Sequence, residues 1–336
     1  MYYIKTRYLN EMRATDRIVW VDISKGIGIL LVVIGHVQTL PLIHDSIFLF
    51  HMPLFFLLSG FFFKIREPWR VCIQKKVIRL LLPVLFFMAI FIPLRYITDY
   101  FCLGYYPPFR ISMLGISYFD KPLWFIFALF DIIVILQTLF STFSNKKVIY
   151  FIVSLSSIIG YFLLLHKYEL PFHFSRALFL LPFFTIGIWA KIIIADISLL
   201  SVLCSLLFVI LGIYGIRTGH ICLDILKMQV DANPLYVYFP AIGGTILVIF
   251  ISKYISLQKN SIIVSLRKLF IYLGCNSFYI FAVHHPVILF INSIFYGKLT
   301  ESCSNPLYAI FLVITSILFS LFIGFVLKKI SPIVFR

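Results

Sequence analysis

One apolar run, Asp22-Ile-Ser-Lys-Gly-Ile-Gly-Ile-Leu-Leu-Val-Val-Ile-Gly-His36, carries a lysine and a histidine eleven residues apart. On a helix rising about 1.5 Å per residue they stand roughly 16 Å apart along the axis. Lys25 then lies near one face of a bilayer and His36 deep toward the other. Ionisable groups inside a membrane are expensive and mark substrate paths or reaction sites. Further imidazoles reach a similar depth: His51 opens the next apolar stretch, His284 and His285 come late in a distant one, and His44 lies in the connection after His36. An imidazole takes a proton readily at neutral pH because its ordinary pKa is near ~6.5. Neutral imidazoles also suit zinc or copper, but no carboxylate or cysteine partner stands out beside them, so no metal is predicted. The plain alternative is a Lys25 that snorkels and histidines that only bond helix to helix.

Other polar positions divide by level. Lys64, Arg66, Arg70, Lys75, Lys76 and Arg79 crowd one connection, with Lys25 near the same face. Topology alone accounts for most of that charge. The sharper reading is a mouth for a phosphorylated ligand such as a nucleotide or coenzyme A, into which Lys25 and Arg79, with Lys76, reach. Asp22 is placed to pair with Lys25 on one helix face. Asp131 and Asn276 are further polar groups in predicted spans; helix–helix bonding and function are both open to them. Ser59-Gly60 permits close packing or a local unwinding, and Trp124 reads equally as interfacial anchor or pocket wall.

The elements that must hold these residues are membrane helices. The chain has 336 residues, 62% of them hydrophobic, with a mean hydropathy of +1.04. That is an all-α, polytopic integral membrane protein rather than a soluble one. Ten spans are expected, at about 19–40, 47–63, 76–97, 121–140, 148–165, 175–194, 197–216, 234–255, 269–291 and 306–327. A net charge of +16 suggests nucleic acid at first sight, but the Lys and Arg sit mostly in short connections between spans. With the N-terminus inside, inner segments hold 20 of the 29 basic residues and outer ones 8, Lys25 being the remaining one. Both termini are therefore expected in the cytoplasm. Residues 1–17 form a basic cytoplasmic arm, 18–330 the membrane domain and 331–336 a short tail. The first span is too long for a signal peptide and lacks a cleavage site. The longest outer connections are 98–120, with Tyr105, Tyr106 and Arg110, and 217–233, with His220, Asp224 and Asp231. Such loops are where acceptor recognition belongs. Cys102, Cys222 and Cys303 fall in outer loops, where one disulfide is conceivable, but no disulfide framework is indicated. No repeat or duplicated half stands out, which disfavours a secondary transporter.

Read in order, several segments resemble the acyltransferase 3 family of bacterial membrane O-acyltransferases, especially its fucose 4-O-acetylase-like branch. They are Asp22-Ile-Ser-Lys-Gly-Ile-Gly-Ile-Leu with Gly35-His36, Phe50-His-Met-Pro-Leu-Phe-Phe-Leu-Leu-Ser-Gly60, Lys76-Val-Ile-Arg-Leu-Leu-Leu-Pro83, Leu123-Trp-Phe, and Gly274-Cys-Asn-Ser-Phe-Tyr-Ile-Phe-Ala-Val-His-His-Pro286. The resemblance covers essentially the whole chain. It implies ten helices in the bacterial inner membrane, His36 as the essential histidine and His284 on a late His-x-Pro position. It also implies acetyl-CoA as cytoplasmic acyl donor and a sugar hydroxyl on an envelope glycan, free or lipid-linked, as acceptor. Many relatives carry arginine where this chain has Lys25, which keeps the charge without the bidentate fork.

The expected activity is thus membrane O-acetyl transfer. His36 deprotonates the hydroxyl or carries the acetyl group itself, His284 supports it, His51, His285 and Trp124 line the pocket, and Asn276 or Ser59 stabilises the oxyanion. A flippase for a lipid-linked glycan explains the spans but not the Lys25/His36 pattern. A non-catalytic scaffold has no use for converging imidazoles.

Overall fold

A computed structural model describes residues 18–37, 41–65, 67–103, 122–193, 198–220, 223–296 and 305–330. The basic arm, the C-terminal tail, the aromatic stretch Tyr105–Arg110, the Cys102 side chain, Cys222 and Cys303 lie outside the described residues. Among the described residues the chain is helical, with no strand and one lone bridge between Asp224 and Gln229. Ten helices are long and apolar enough to cross a membrane, so the all-α polytopic reading holds.

The helices are α1 (Val19–Val37), α2 (Pro41–Phe48), α3 (His51–Phe61), α4 (Trp69–Lys76), α5 (Leu82–Leu103), α6 (Trp124–Thr142) and α7 (Lys146–Leu165). They continue as α8 (Phe174–Ile193), α9 (Leu199–Arg217), α10 (Leu235–Leu257), α11 (Ser261–Cys275), α12 (Ser277–Tyr296) and α13 (Pro306–Ile330). The end of the bundle where α1 starts, with Lys25, is called the lysine side; the end it reaches, with His36, the histidine side. Side-chain caps start several helices: Asn145 accepts from the Lys147 amide at α7, and Asn260 from the Ile262 amide, 2.9 Å away, at α11.

Three expected spans are built differently. The stretch expected as one helix over 47–63 is two, α2 and α3, broken at Leu49–Phe50. Pro53 has no N–H to offer the Leu49 carbonyl, and Phe50 leaves the helical region at φ −138°. The third span begins earlier than expected, at Trp69. Pro68, extended at ψ 136°, sets its start, and the polar turn Trp69–Lys76 is helical because Cys72 is buried and Trp69 donates from Nε1 to Thr138 Oγ1 at 3.1 Å. A π turn, Val77–Leu81, joins α4 to α5. Pro83 cannot donate to the Arg79 carbonyl, and the wider turn takes up the missing bond. The expected helix over 269–291 is also two. Asn276 ends α11 by donating from Nδ2 to the Tyr272 carbonyl at 2.8 Å, and α12 starts anew at Ser277.

α1 is the axis of the bundle, packed against α2, α3, α10, α11, α12 and α13. Several crossings bring backbones into direct contact, and in two of them glycines face each other from both helices. A Cβ added to Gly26 would strike the Phe270 carbonyl, and one added to Gly274 would strike the Asp22 carbonyl, so α1 and α11 meet glycine to glycine. Gly60 and Gly187 do the same for α3 and α8. The periphery is the reverse. α9 turns Leu199, Leu203 and Leu207 outward, and α13 turns out Leu307, Phe319 and Phe322, the apolar girdle that a bilayer covers.

Candidate active site

The histidines converge. α1 carries His36 to its last turn, half-buried. α12 brings His284 and His285 beside it, with ring centroids 5.1 and 5.4 Å from that of His36. His284 is completely buried and His285 nearly so. From α3 comes His51, 4.7 Å ring to ring from Phe48, whose ring lies 6.1 Å from His36. His44 stacks on the other side of Phe48 at 4.0 Å and bonds Asp45 at 2.8 Å.

Two of these rings have their proton fixed by the backbone. His284 Nδ1 lies 2.7 Å from the Ile280 carbonyl and His51 Nδ1 lies 2.9 Å from the Ile47 carbonyl. A carbonyl only accepts, so each Nδ1 must donate, and in the neutral ring Nε2 is left with its lone pair. Pro286 helps α12 shape this region. Having no N–H, it releases the Ala282 carbonyl from the helix ladder within the turn that carries both histidines.

His36, His51, Trp124, Asp224, Leu226 and Phe281 line one cavity of about 410 Å³, counting the part open to solvent. Its cover is the connection after α9. Leu223, Ile225, Met228 and Val230 are buried, and the Asp224 and Gln229 backbones pair at 3.0 and 2.8 Å. Met228 makes the reversal in the left-handed region, φ 52°. This hairpin is held down by Arg176 of α8, itself buried. Arg176 donates from Nε to the Ile225 carbonyl at 3.0 Å and from Nη2 to the Leu226 carbonyl at 2.8 Å. Its Nη1 pairs with Glu169 and lies 2.7 Å from His173 Nδ1, and the guanidinium sits 5.9 Å from the centroid of Trp124. Burial alone would raise the Glu169 carboxyl, but hydrogen bonds from His173 and Arg176 outweigh it and hold its pKa down at about 2.

The sequence-derived residues therefore separate. The structure brings His36, His284 and His285 together, though His285, expected to line the pocket, packs with His284 behind His36 rather than in the lining, and it sets His51 and Trp124 on the same cavity as His36. It does not bring Ser59 or Asn276 there. Ser59 lies two turns below His51 on α3, and Asn276 is at the α11–α12 break, where its Oδ1 accepts from Lys328 Nζ at 2.8 Å. Lys25 is half-buried on the lysine side, its Nζ 5.1 Å from the centroid of Phe62. Lys76 is half-buried just before the π turn, and Arg79 is exposed within it. The Arg176 anchor was not singled out from sequence; Asp224 was, as a residue of an outer connection expected to recognise the acceptor. The spacing Glu169, His173, Arg176, one helical turn per step, is the signal that would have marked the anchor. Among the described residues no group of three or more His, Cys, Asp or Glu is arranged to hold a metal ion.

No curated protein and no solved structure matches this chain. The profile of the Acyl_transf_3 family, described as an acyltransferase domain, matches residues 18–325. That match runs from the start of α1, through every residue of the histidine cavity, into α13. With ten apolar helices around a buried cluster of imidazoles, the chain is a multi-pass membrane protein that belongs to the Acyl_transf_3 family of acyltransferases.

Proposed function

We propose that the protein is an O-acetyltransferase of the bacterial inner membrane. Acetyl-CoA is the donor, taken from the cytoplasm on the lysine side, and the acceptor is a sugar hydroxyl of an envelope or exported glycan, free or lipid-linked, arriving on the histidine side. The observation that carries this reading is the juxtaposition of His36 with His284 and His285 at one end of α1, while Lys25 stands at the other. Both termini in the cytoplasm, as the basic-residue bias favours, give the two sides this orientation.

In the direct route His36 takes the proton of the acceptor hydroxyl as its oxygen attacks the thioester carbonyl. A carbon–oxygen bond forms, the carbon–sulfur bond breaks, and the thiolate leaves with the proton that the imidazole carried. In the two-step route the ring nitrogen itself takes the acetyl group, releases the thiol and passes the acetyl to the hydroxyl. His284, with Nδ1 tied to a carbonyl, offers the Nε2 lone pair to accept from and orient the reactive ring. The basic residues Lys25, Lys76 and Arg79 attract the phosphates of coenzyme A.

The test is coenzyme A release per folded molecule in detergent, with monodispersity checked by size exclusion. His36→Ala and His36→Gln are expected to lose about 10²–10⁴-fold, the worth of a positioned base, while eluting as the wild type does. Folded variants that keep near wild-type turnover would remove His36 from the chemistry.

A further inference from the structure

The cavity holds one carboxylate that the transfer chemistry does not use. Asp224 is 4% exposed and lines the same cavity as His36 and His51. The hairpin does not need its charge to close, because its two arms pair through backbone atoms of Asp224 and Gln229 and the turn is anchored by Arg176 through carbonyls. The side chain makes two contacts on the hairpin's own outer edge. Oδ1 accepts from the Lys227 amide at 3.0 Å, and Oδ2 pairs with Lys227 Nζ at 3.0 Å. An ionised carboxylate offers about four lone-pair directions, so roughly two remain for a ligand in the cavity. Everything else the hairpin sets over the histidines is apolar: Leu223, Ile225 and Leu226.

The geometry points to Asp224 as the acceptor-recognition residue, taking hydrogen bonds from a hydroxyl next to the one that reacts at His36. This rests on the acyltransfer reading of the same cavity and gives its acceptor a chemistry: a neutral polyol with adjacent hydroxyls. An apolar alcohol has nothing to donate to Asp224 and leaves the carboxylate's remaining lone pairs unmet inside the cavity, which is how sites built for hydroxyls reject analogues lacking them. An anionic acceptor is repelled by the same charge.

Glycerol and 1-propanol test this, since both have three carbons and only glycerol has adjacent hydroxyls. Purified protein in detergent is given radiolabelled acetyl-CoA with either alcohol at equal concentration, and acetyl ester is counted. The wild type is expected to favour glycerol, and Asp224→Asn, which keeps the shape, to lower the glycerol-to-propanol ratio about tenfold. Lys227→Gln removes the ion pair but keeps the carboxylate, and leaves the ratio where it was. A wild type that does not distinguish the alcohols overturns the assignment. So does an Asp224→Asn protein with an unchanged ratio, or a Lys227→Gln protein that loses it equally. Absence of any His36-dependent coenzyme A release would be a different result, removing the acyltransfer reading and this assignment with it.

Discussion

Arg176 offers the sharpest test of how the cavity is covered. Replacing it with methionine fills similar space but removes two hydrogen bonds from a buried cation to the Ile225 and Leu226 carbonyls, at 3.0 and 2.8 Å. Hydrogen bonds to charged groups contribute about 1.5–3 kcal/mol each. Removing one partner from a buried ionic arrangement costs about 3–5 kcal/mol by another route. The two agree on roughly 3–5 kcal/mol. The Glu169 side chain, 26% exposed, is the partner left without its cation. At about 2 °C per kcal/mol for a large chain, the melting midpoint should fall by roughly 6–10 °C. Arg176→Lys keeps the charge but not the fork, and one ammonium cannot serve both carbonyls as two nitrogens do, so about half the loss should remain. Tryptophan fluorescence melts in detergent measure both variants; Trp124, one of four tryptophans, faces the guanidinium. Deuterium exchange gives the local readout: amides of 223–230 should exchange faster in Arg176→Met, while the α1–α11 crossing stays protected. Equal melting points and unchanged exchange over the hairpin would refute the anchor.

The glycine crossing gives a contrast. Gly274→Ala would drive a Cβ into the Asp22 backbone, whereas Gly28→Ala meets only the side chains of Leu54 and Phe55 at 3.1 Å, which can turn aside. Gly274→Ala should therefore melt earlier, by the cost of overpacking, about 1–3 kcal/mol; equal midpoints would mean the two helices have slack. Glu169 sets an acid dependence. Its folded pKa of about 2 lies below the ordinary 4.5, so its contribution is complete above pH 4.5 and is lost as pH falls toward 2. Glu169→Gln should flatten the melting curve's pH dependence across that window and leave its slope above pH 5 alone.

Much of this architecture was readable from the chain. Hydropathy and the length a bilayer imposes marked ten spans, and depth along those spans put His36, His51, His284 and His285 at one level. The helix breaks were less legible. Leu49–Phe50 and Asn276 sit inside continuous apolar runs, and hydropathy does not register a proline that withholds one amide or an asparagine that ends a helix with its own side chain. Trp69–Lys76 read as a connection because its charges look solvated, yet Cys72 and Trp69 bind it to α6. Asn276 and Ser59 share spans with the histidines, but position within a span depends on where each helix starts. Arg176 was counted as loop charge. Its role comes from carbonyls about fifty residues away, a pairing that no local pattern encodes.

The glycine contact between α1 and α11 has a consequence for distance. With backbone against backbone, α1 has no side-chain cushion along which to slide, and a one-residue shift would drive a side chain into a carbonyl. Lys25 and His36 are therefore the two marks on a rigid ruler about 16 Å long. In the proposed reaction, a donor held at the first mark would have to bring its reactive carbon to the second on an arm of its own, because the crossing leaves no way to shorten the gap. The helix would then select among thioesters by reach as well as by charge, excluding a donor with the right headgroup and too short a tether.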